Sequence, residues 1–322
     1  MERHMAQTLF EIDGRIPDAL RVAFGLCEAR PAPAPGQHDE VANFAAVLLA
    51  PRDDEPMDCD EEPVAPGALR MVFDSCYITD HGEDAHFGSA DAGVVGVTDG
   101  VGAYREQGVD ASAFARGLMN SAYADVVTAA APGTHVCPRT LLERAHQATA
   151  AAGTPAASTA AIVSLSGRTL RWAYVGDSGF AVFRDGRVLR RSRAQQHYFN
   201  CPYQLNAGRD SAMVADDAEV GEVPAKEGDV VVVGTDGLFD NVTDDELERI
   251  VRMGTALGFS PLNMAEVVAG FAFEAVRCSN RDTPYSVSGR SEAGQGFFTG
   301  GKPDGKILGA HIGTYTMKVR RV

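Results

Sequence analysis

Paired cysteines are missing from this sequence. Its six, Cys27, Cys59, Cys76, Cys137, Cys201 and Cys278, are scattered over 322 residues with no Cys-x-x-Cys among them. This excludes a dense disulfide framework and fits a reducing compartment. None has an arginine six positions on, so a thiolate phosphatase loop of the Cys-x5-Arg type is absent and no cysteine stands out as a nucleophile. No apolar stretch approaches the roughly 18 to 20 residues that cross a bilayer. The N-terminal region is not acid-poor, since it carries Glu2, Glu11, Asp13 and Asp18, and it has no apolar secretory segment. The cytoplasm is therefore the expected location, with mitochondrion or chloroplast as alternatives, and the glycosylation-type triplet Asn241-Val242-Thr243 is read as incidental. Clusters of Lys and Arg are also lacking: 29 basic residues face 44 acidic ones, a net charge of −15. That balance argues against nonspecific nucleic-acid binding. A monomer without a membrane or nucleic-acid partner is expected, kept apart from its copies by self-repulsion.

What the chain has is three aspartates, each after a short apolar run and each followed by glycine or serine. They are Asp99 in GVVGVTDGVG, Asp177 in LRWAYVGDSG and Asp236 in DVVVVGTDGLFDN, with Asp240 one turn further on. A Val-rich run of four to eight residues bounded by Gly reads as a buried strand opening into a loop. A single acid there ordinarily caps a turn. Three of them suggest carboxylates converging on a hard cation bound by oxygen.

Residues 1–66 contain PAPAPG and DDEPMDCDEEP and show little periodicity, which predicts an irregular acidic and Pro-rich extension before a catalytic domain over 67–322. Two helices are expected over 111–131 and 139–152, with Pro138 placed to open the second. The runs STAAIVSLS, TLRWAYVG, GFAVFRD and RVLRRS then predict strands in quick succession, and Asp185-Gly186 marks a hairpin. DVVVVGTDG is a further strand, and 244–252 and 263–278 are expected helices. Strands interrupted by paired helices indicate an α+β layered domain.

Divalent cations lower the pKa of bound water and clamp phosphoryl oxygens. Candidate carboxylates for such chemistry are Glu83, Asp84, Asp99, Asp177, Asp236, Asp240 and Asp304. Any one of them alone is more often a solvated or capping acid than a ligand. It is their grouping that points to a metal site.

The motifs HGEDAHF, GVTDGVGAYREQGVD, ASTAAIV, AYVGDSGFAVFRDG, SRAQQHYFNCPYQL, GDVVVVGTDGLFDNV and GGKPD occur in that order from about residue 70 to 304. In these the chain resembles the metal-dependent protein phosphatases, the 2C or PPM family of serine/threonine phosphatases, and looks closest to their short mitochondrial and plant branch. The resemblance implies an α-β-β-α sandwich, two packed antiparallel sheets flanked by helices, with phosphoproteins as substrates and Mn²⁺ or Mg²⁺ as cofactor, two ions and a looser third. It implies that Asp99 bridges the two ions and that the Gly100 carbonyl binds the second. Asp236 and Asp304 would be the other direct ligands of the first. Glu83 and Asp84 match acids that act largely through water, and Asp177 and Asp240 match the third site. By the same resemblance Asp84, Asp99 and Asp236 are the catalytic acids. Ser158 and Thr159 match a small-residue packing motif, and QQHYFN is a branch marker with no chemistry assigned.

Three departures from the family pattern stand out. Val101 replaces a His that many members carry after the first DG, and His81 and His197 are alternative proton donors, although a lone His is usually structural. Thr79 takes the place of a phosphate-anchoring Arg, a role for which Arg105 beside the DG loop is the substitute. After Asp304, Gly305 replaces an acid, and the last strand must come from HIGTYTMKV or be lost. The alternative reading is an impaired phosphatase fold that only binds phosphoproteins. A nucleotide P-loop is a poor rival: Gly296, Gly301 and Lys302 are spaced for it, but Pro303 stands where Ser or Thr would hold Mg²⁺. The DCDEE segment lacks the buried strand that an aspartyl-phosphate site needs.

Overall fold

The computed structural model describes residues 69–78, 82–129, 136–208, 218–292, 299–302 and 312–321. The expected N-terminal extension, His81, Thr79, Asp304 and Gly305 lie outside the described residues.

Two five-stranded antiparallel sheets form the centre. One is ordered β1 (Leu69–Ile78), β14 (Ile312–Arg321), β13 (Val230–Gly234), β7 (Gly179–Arg184), β8 (Arg187–Arg191). The other is ordered β12 (Glu219–Pro224), β6 (Thr169–Val175), β5 (Ala160–Ser166), β3 (Val94–Thr98), β2 (Ala85–Ser89).

Side-chain alternation along each strand builds three apolar layers. Val231 and Val233 of β13, Phe180 and Val182 of β7, and Ala161 and Val163 of β5 meet between the sheets, with Trp172 and Tyr174 of β6. The intervening residues Val230, Val232, Ala181 and Phe183 face outward onto α4 (Asp244–Ala256) and α5 (Pro261–Arg277). On the other sheet Ala160, Ile162, Ala173 and Val175 face α1 (Ser112–Ala129) and α2 (Pro138–Ala151). Strands covered on both faces carry unbroken apolar runs, which is why VVVV and AAIV read as continuous. Each fully buried Val, Leu or Phe contributes about 1.5–3 kcal/mol relative to exposure.

Local chemistry sets the ends of the elements. The β7–β8 turn has Asp185 at φ 52° and Gly186 at φ 71°, the two positive values that a type I′ hairpin requires. Pro138 occupies the first turn of α2. Thr243 and Glu246 form a reciprocal capping box on α4, and Ser260 caps α5 ahead of Pro261. HIGTYTMKV does supply the last strand: β14 pairs with β1 along its whole length and with β13 on its other side. Strand β12 and helix α6 (Pro284–Glu292) were not expected. The first alternates exposed and half-buried residues at a sheet edge, and the second buries only Ser286 and Gly289, so neither has an apolar signature.

Strand registers bring the aspartate loops to one end of the sandwich. Ala85 at the start of β2 faces Thr98 at the end of β3. Val97 faces Ala161, and Ala160 faces Val175 at the end of β6. Gly234 at the end of β13 faces Gly179 at the start of β7, so the Asp177–Ser178 link crosses from one sheet to the other at this end.

Candidate metal centre

Asp84 precedes β2, Asp99 follows β3, Asp177 follows β6, and Asp236 opens the one-turn helix α3 (Asp236–Phe239) after β13. Glu83, Asp84 and Asp177 are buried, whereas Asp99, Asp236 and Asp240 keep a partial opening to solvent. This is the geometry of a rim, with acids lining a site that a substrate can approach.

Short hydrogen bonds hold the loops in place. The Asp99 carbonyl accepts from the Thr159 amide at 2.9 Å, and the Val101 amide donates to the Ala157 carbonyl at 2.9 Å. The Thr159 hydroxyl accepts from the Asp99 amide at 3.2 Å and shares a proton with the Ser178 hydroxyl at 2.6 Å. Gly100 pairs with Ser158 of β4 (Ala157–Ser158), and its amide donates to the Glu83 carbonyl at 3.3 Å. A Cβ on Gly100 would stand 2.4 Å from the Ala111 carbonyl oxygen, so a side chain there would force the Asp99 loop apart.

The carboxyl groups are tied into the same frame. Thr235 Oγ1 donates to Asp84 Oδ2 at 3.1 Å. Gln196 Nε2, from β9 (Gln196–Tyr198), donates to Asp177 Oδ2 at 3.2 Å, and the Gln195 side chain accepts from the Gly176 amide at 2.9 Å. Asp177 Oδ1 is buried with no hydrogen-bond partner among the described residues. The Lys302 ammonium pairs with Asp236 Oδ2 and lies 3.1 Å from Asp240 Oδ2. Arg105 Nε pairs with Glu83 Oε1 at 2.8 Å, which places the expected phosphate anchor at the DG loop but engages it with a site acid. His197 is exposed and packs against Tyr203 with ring centroids 4.5 Å apart and planes tilted by 46°.

Negative charge exceeds what this region can balance. Burial, then the charges of Asp84 and Asp236, push the Asp99 carboxyl well above the usual carboxylate range, with Lys302 opposing. Burial and Asp236 push Asp177 up to about 7 against the pull of Lys302. Asp240 is raised by burial, again against Lys302. Burial disfavours the Lys302 ammonium, but Asp236, Asp240 and Asp177 outweigh it and hold its pKa well above the ordinary value. Carboxylates that raise one another in this way favour a bound cation. Among the described residues no three acids, imidazoles or thiols stand close enough together to hold an ion between them. The donor set is nonetheless all oxygen, and the Asp177 Oδ1, without a hydrogen-bond partner among the described residues, fits a hard divalent ion.

The protein phosphatase 2C family profile matches residues 79–269. Protein phosphatase 2C 24 of Oryza sativa subsp. japonica is 52% identical over 313 residues, covering 95% of this chain and 97% of its own. The chain belongs to the protein phosphatase 2C family. Protein phosphatase 2C 23 of the same organism is 51% identical, with 92% of each chain covered. The solved structure of the photosystem II phosphatase PBCP superposes with a TM-score of 0.65 at 30% identity, over 77% of this chain and 98% of that one. The catalytic domain of the serine/threonine phosphatase PstP, solved with two manganese ions, shares the fold at a TM-score of 0.52 and 15% identity, over 78% of this chain and 99% of that one. The chain is thus a metal-dependent serine/threonine protein phosphatase with the α-β-β-α sandwich, and phosphoproteins are its substrates.

Several residues of this phosphatase do more than their sequence patterns indicated. Thr159, read as packing, joins the Asp99 and Asp177 loops. The QQHYFN segment has a visible role, since Gln195 and Gln196 clamp the Asp177 loop. Asn241, in the glycosylation-type triplet, is wholly buried. Its amide donates to the Gly237 carbonyl and accepts from the Lys302 amide at 2.8 Å. Lys302 drew notice only through a false P-loop spacing. Only a buried lysine next to a reserve of acids could have signalled its place, and burial at the end of a loop leaves no periodicity in sequence.

Proposed function

We propose that this phosphatase hydrolyses phosphoserine and phosphothreonine at a binuclear Mn²⁺ or Mg²⁺ site, by direct attack of water and without a covalent enzyme intermediate. Asp99 would bridge the two ions, the Gly100 carbonyl would bind the second, and Asp236 and Asp304 would bind the first. Glu83 and Asp84 would act through water, and Asp177 and Asp240 would hold a third ion. Ions in this position ionise water at neutral pH and offset phosphoryl charge.

Placement is the contribution of the chain itself. The Thr159–Ser178 pair fixes the Asp99 loop against the Asp177 loop, and Thr235 orients Asp84. Arg105, 41% exposed at the rim, is the proposed phosphate anchor. Val101 carries no exchangeable side-chain proton, so the leaving hydroxyl takes its proton from water at the site. Substrate selection falls to the surrounding loops. The scattered cysteines, with no Cys-x-x-Cys among them, support a reducing compartment, proposed as the cytoplasm; fluorescence of a tagged full chain in chloroplasts or mitochondria would replace that assignment.

The supporting observation is that the aspartate loops after β3, β6 and β13 meet at one end of the sandwich, where burial, and with it the charge of Asp236, raises Asp99, Asp177 and Asp240. Turnover of a phosphopeptide should require Mn²⁺ and stop in chelator. In Asp99→Asn or Asp236→Asn it should fall by about 100-fold or more with circular dichroism unchanged. Full activity in either variant sinks the assignment. The alternative of a non-hydrolytic phosphoprotein binder predicts no turnover in the parent itself, and the pairing of β14 with β1 and β13 speaks against loss of the last strand.

A further inference from the structure

Lys302 is held in its position from several sides. Its backbone amide donates to Asn241 Oδ1 at 2.8 Å, and the neighbouring Gly301 approaches so closely that a Cβ would stand 2.5 Å from Asn241 Oδ1 and from Val276 Cα. Two residues back, the Gly300 amide donates to the Arg281 carbonyl at 2.7 Å, and the Thr283 hydroxyl donates to the Gly300 carbonyl at 2.8 Å. The side chain then runs inward, 13% exposed, and ends on Asp236 and Asp240. Its ammonium lies 5.8 Å from the centre of the Tyr285 ring, and the Tyr285 amide donates to the Asp240 carbonyl at 2.9 Å. A flexible four-carbon stem carries a compact charge that can be withdrawn without unfolding its anchor.

We infer that Lys302 is an internal counter-ion that exchanges with a divalent cation: its ammonium neutralises Asp236 and Asp240 in the metal-free protein and yields that place when the ion binds. This rests on the reading of Asp236 and Asp240 as metal ligands. Two neighbouring carboxylates that are only 15% and 22% exposed repel each other when no cation lies between them, so the ammonium stabilises the metal-free fold. The same contact must be broken before an ion can take either carboxylate, so it lowers metal affinity at this position. Both effects come from one side chain and have opposite signs, which a merely structural lysine would not produce.

The test uses the full chain, stripped with chelator and dialysed. Mn²⁺ binding is followed by calorimetry and by the electron paramagnetic resonance signal of free Mn²⁺, and thermal unfolding is recorded with and without Mn²⁺. Lys302→Met is expected to unfold at lower temperature in chelator and to bind Mn²⁺ about tenfold more tightly than the parent. Lys302→Arg, which keeps the charge, should stay close to the parent in chelator. If Lys302→Met does not fold without metal, Lys302→Gln gives the same comparison. Unchanged or weaker Mn²⁺ binding in the Met or Gln variant overturns the exchange. Asp236→Asn separates the two ideas: if it binds Mn²⁺ as the parent does, or if the parent binds none, the ligand reading fails and the exchange fails with it.

Discussion

The hydroxyls of Thr159 and Ser178 lie 2.6 Å apart in the buried end of the sandwich, so a single hydrogen bond links the residue after β4 to the crossover between the two sheets. Thr159 also accepts the Asp99 amide. The loops of two site acids therefore share one side chain. Replacing the hydroxyl by a methyl in Thr159→Val leaves buried donors without an acceptor, which costs about 1–3 kcal/mol. The variant should show a lower urea midpoint, and its kcat/KM for a phosphopeptide should drop by about tenfold as Asp99 loses its alignment. Thr159→Ser should recover most of both.

Asn241 plays a comparable part on the other sheet, between α3 and the 299–302 segment. Asn241→Leu keeps the volume and removes both hydrogen bonds to Gly237 and Lys302. A loss of about 1–3 kcal/mol in urea unfolding is expected. Gly301→Ala should be at least as damaging, because the added methyl meets the Val276 backbone, and the two effects should be less than additive since they act on one contact. Full additivity would show that the two positions are independent.

Arg105 is bound to Glu83 at 2.8 Å beside the DG loop. If it also anchors phosphate, Arg105→Ala should lower kcat/KM by roughly 10–100-fold, together with some loss of thermal stability because the buried Glu83 gives up this partner. Arg105→Lys should recover only part, because a point charge cannot replace a planar fork. Unchanged kcat/KM in the alanine variant would remove Arg105 from the site.

The thiols should separate by pH. Burial, reinforced by Glu266 and Asp74, pushes the Cys76 thiol up to about 12, so it stays protonated and unreactive to iodoacetamide at pH 8 in the folded protein. Cys137 is exposed at the start of α2. Burial opposes ionisation there, but the Thr140 amide and hydroxyl and the Arg139 amide outweigh it and lower the pKa. A lowered pKa means more thiolate at a given pH, so Cys137 should be alkylated before Cys76, with a rate that levels off at lower pH than that of a model thiol. Mass spectrometry of the quenched protein reads the order, and equal labelling of the two would contradict it.

Local pattern carried much of the fold. Val-rich runs bounded by glycine mark β3 and β13 because strands buried on both faces are apolar along nearly their whole length. Asp185-Gly186 marks the β7–β8 hairpin because few other residues accept two positive φ values. Pro138 and the Thr243 to Glu246 box mark helix starts for equally local reasons. The aspartates after the strands mark the site, since a strand end and a following glycine can be read without a partner.

Tertiary structure alone decided which groups those acids meet. Thr159 meets Ser178 nineteen residues away, Gln196 reaches Asp177 across a similar distance, and Asn241 and Lys302 are separated by 61 positions. Nothing periodic connects such pairs. They arise when the strand registers bring separate loops to one end of the sandwich, and their strength comes from the low-dielectric surroundings which that assembly creates. The sequence by itself determined the layers and the acids. The placement of Lys302 among those acids, and the hydroxyl that holds two of their loops together, exist only once the sheets have paired.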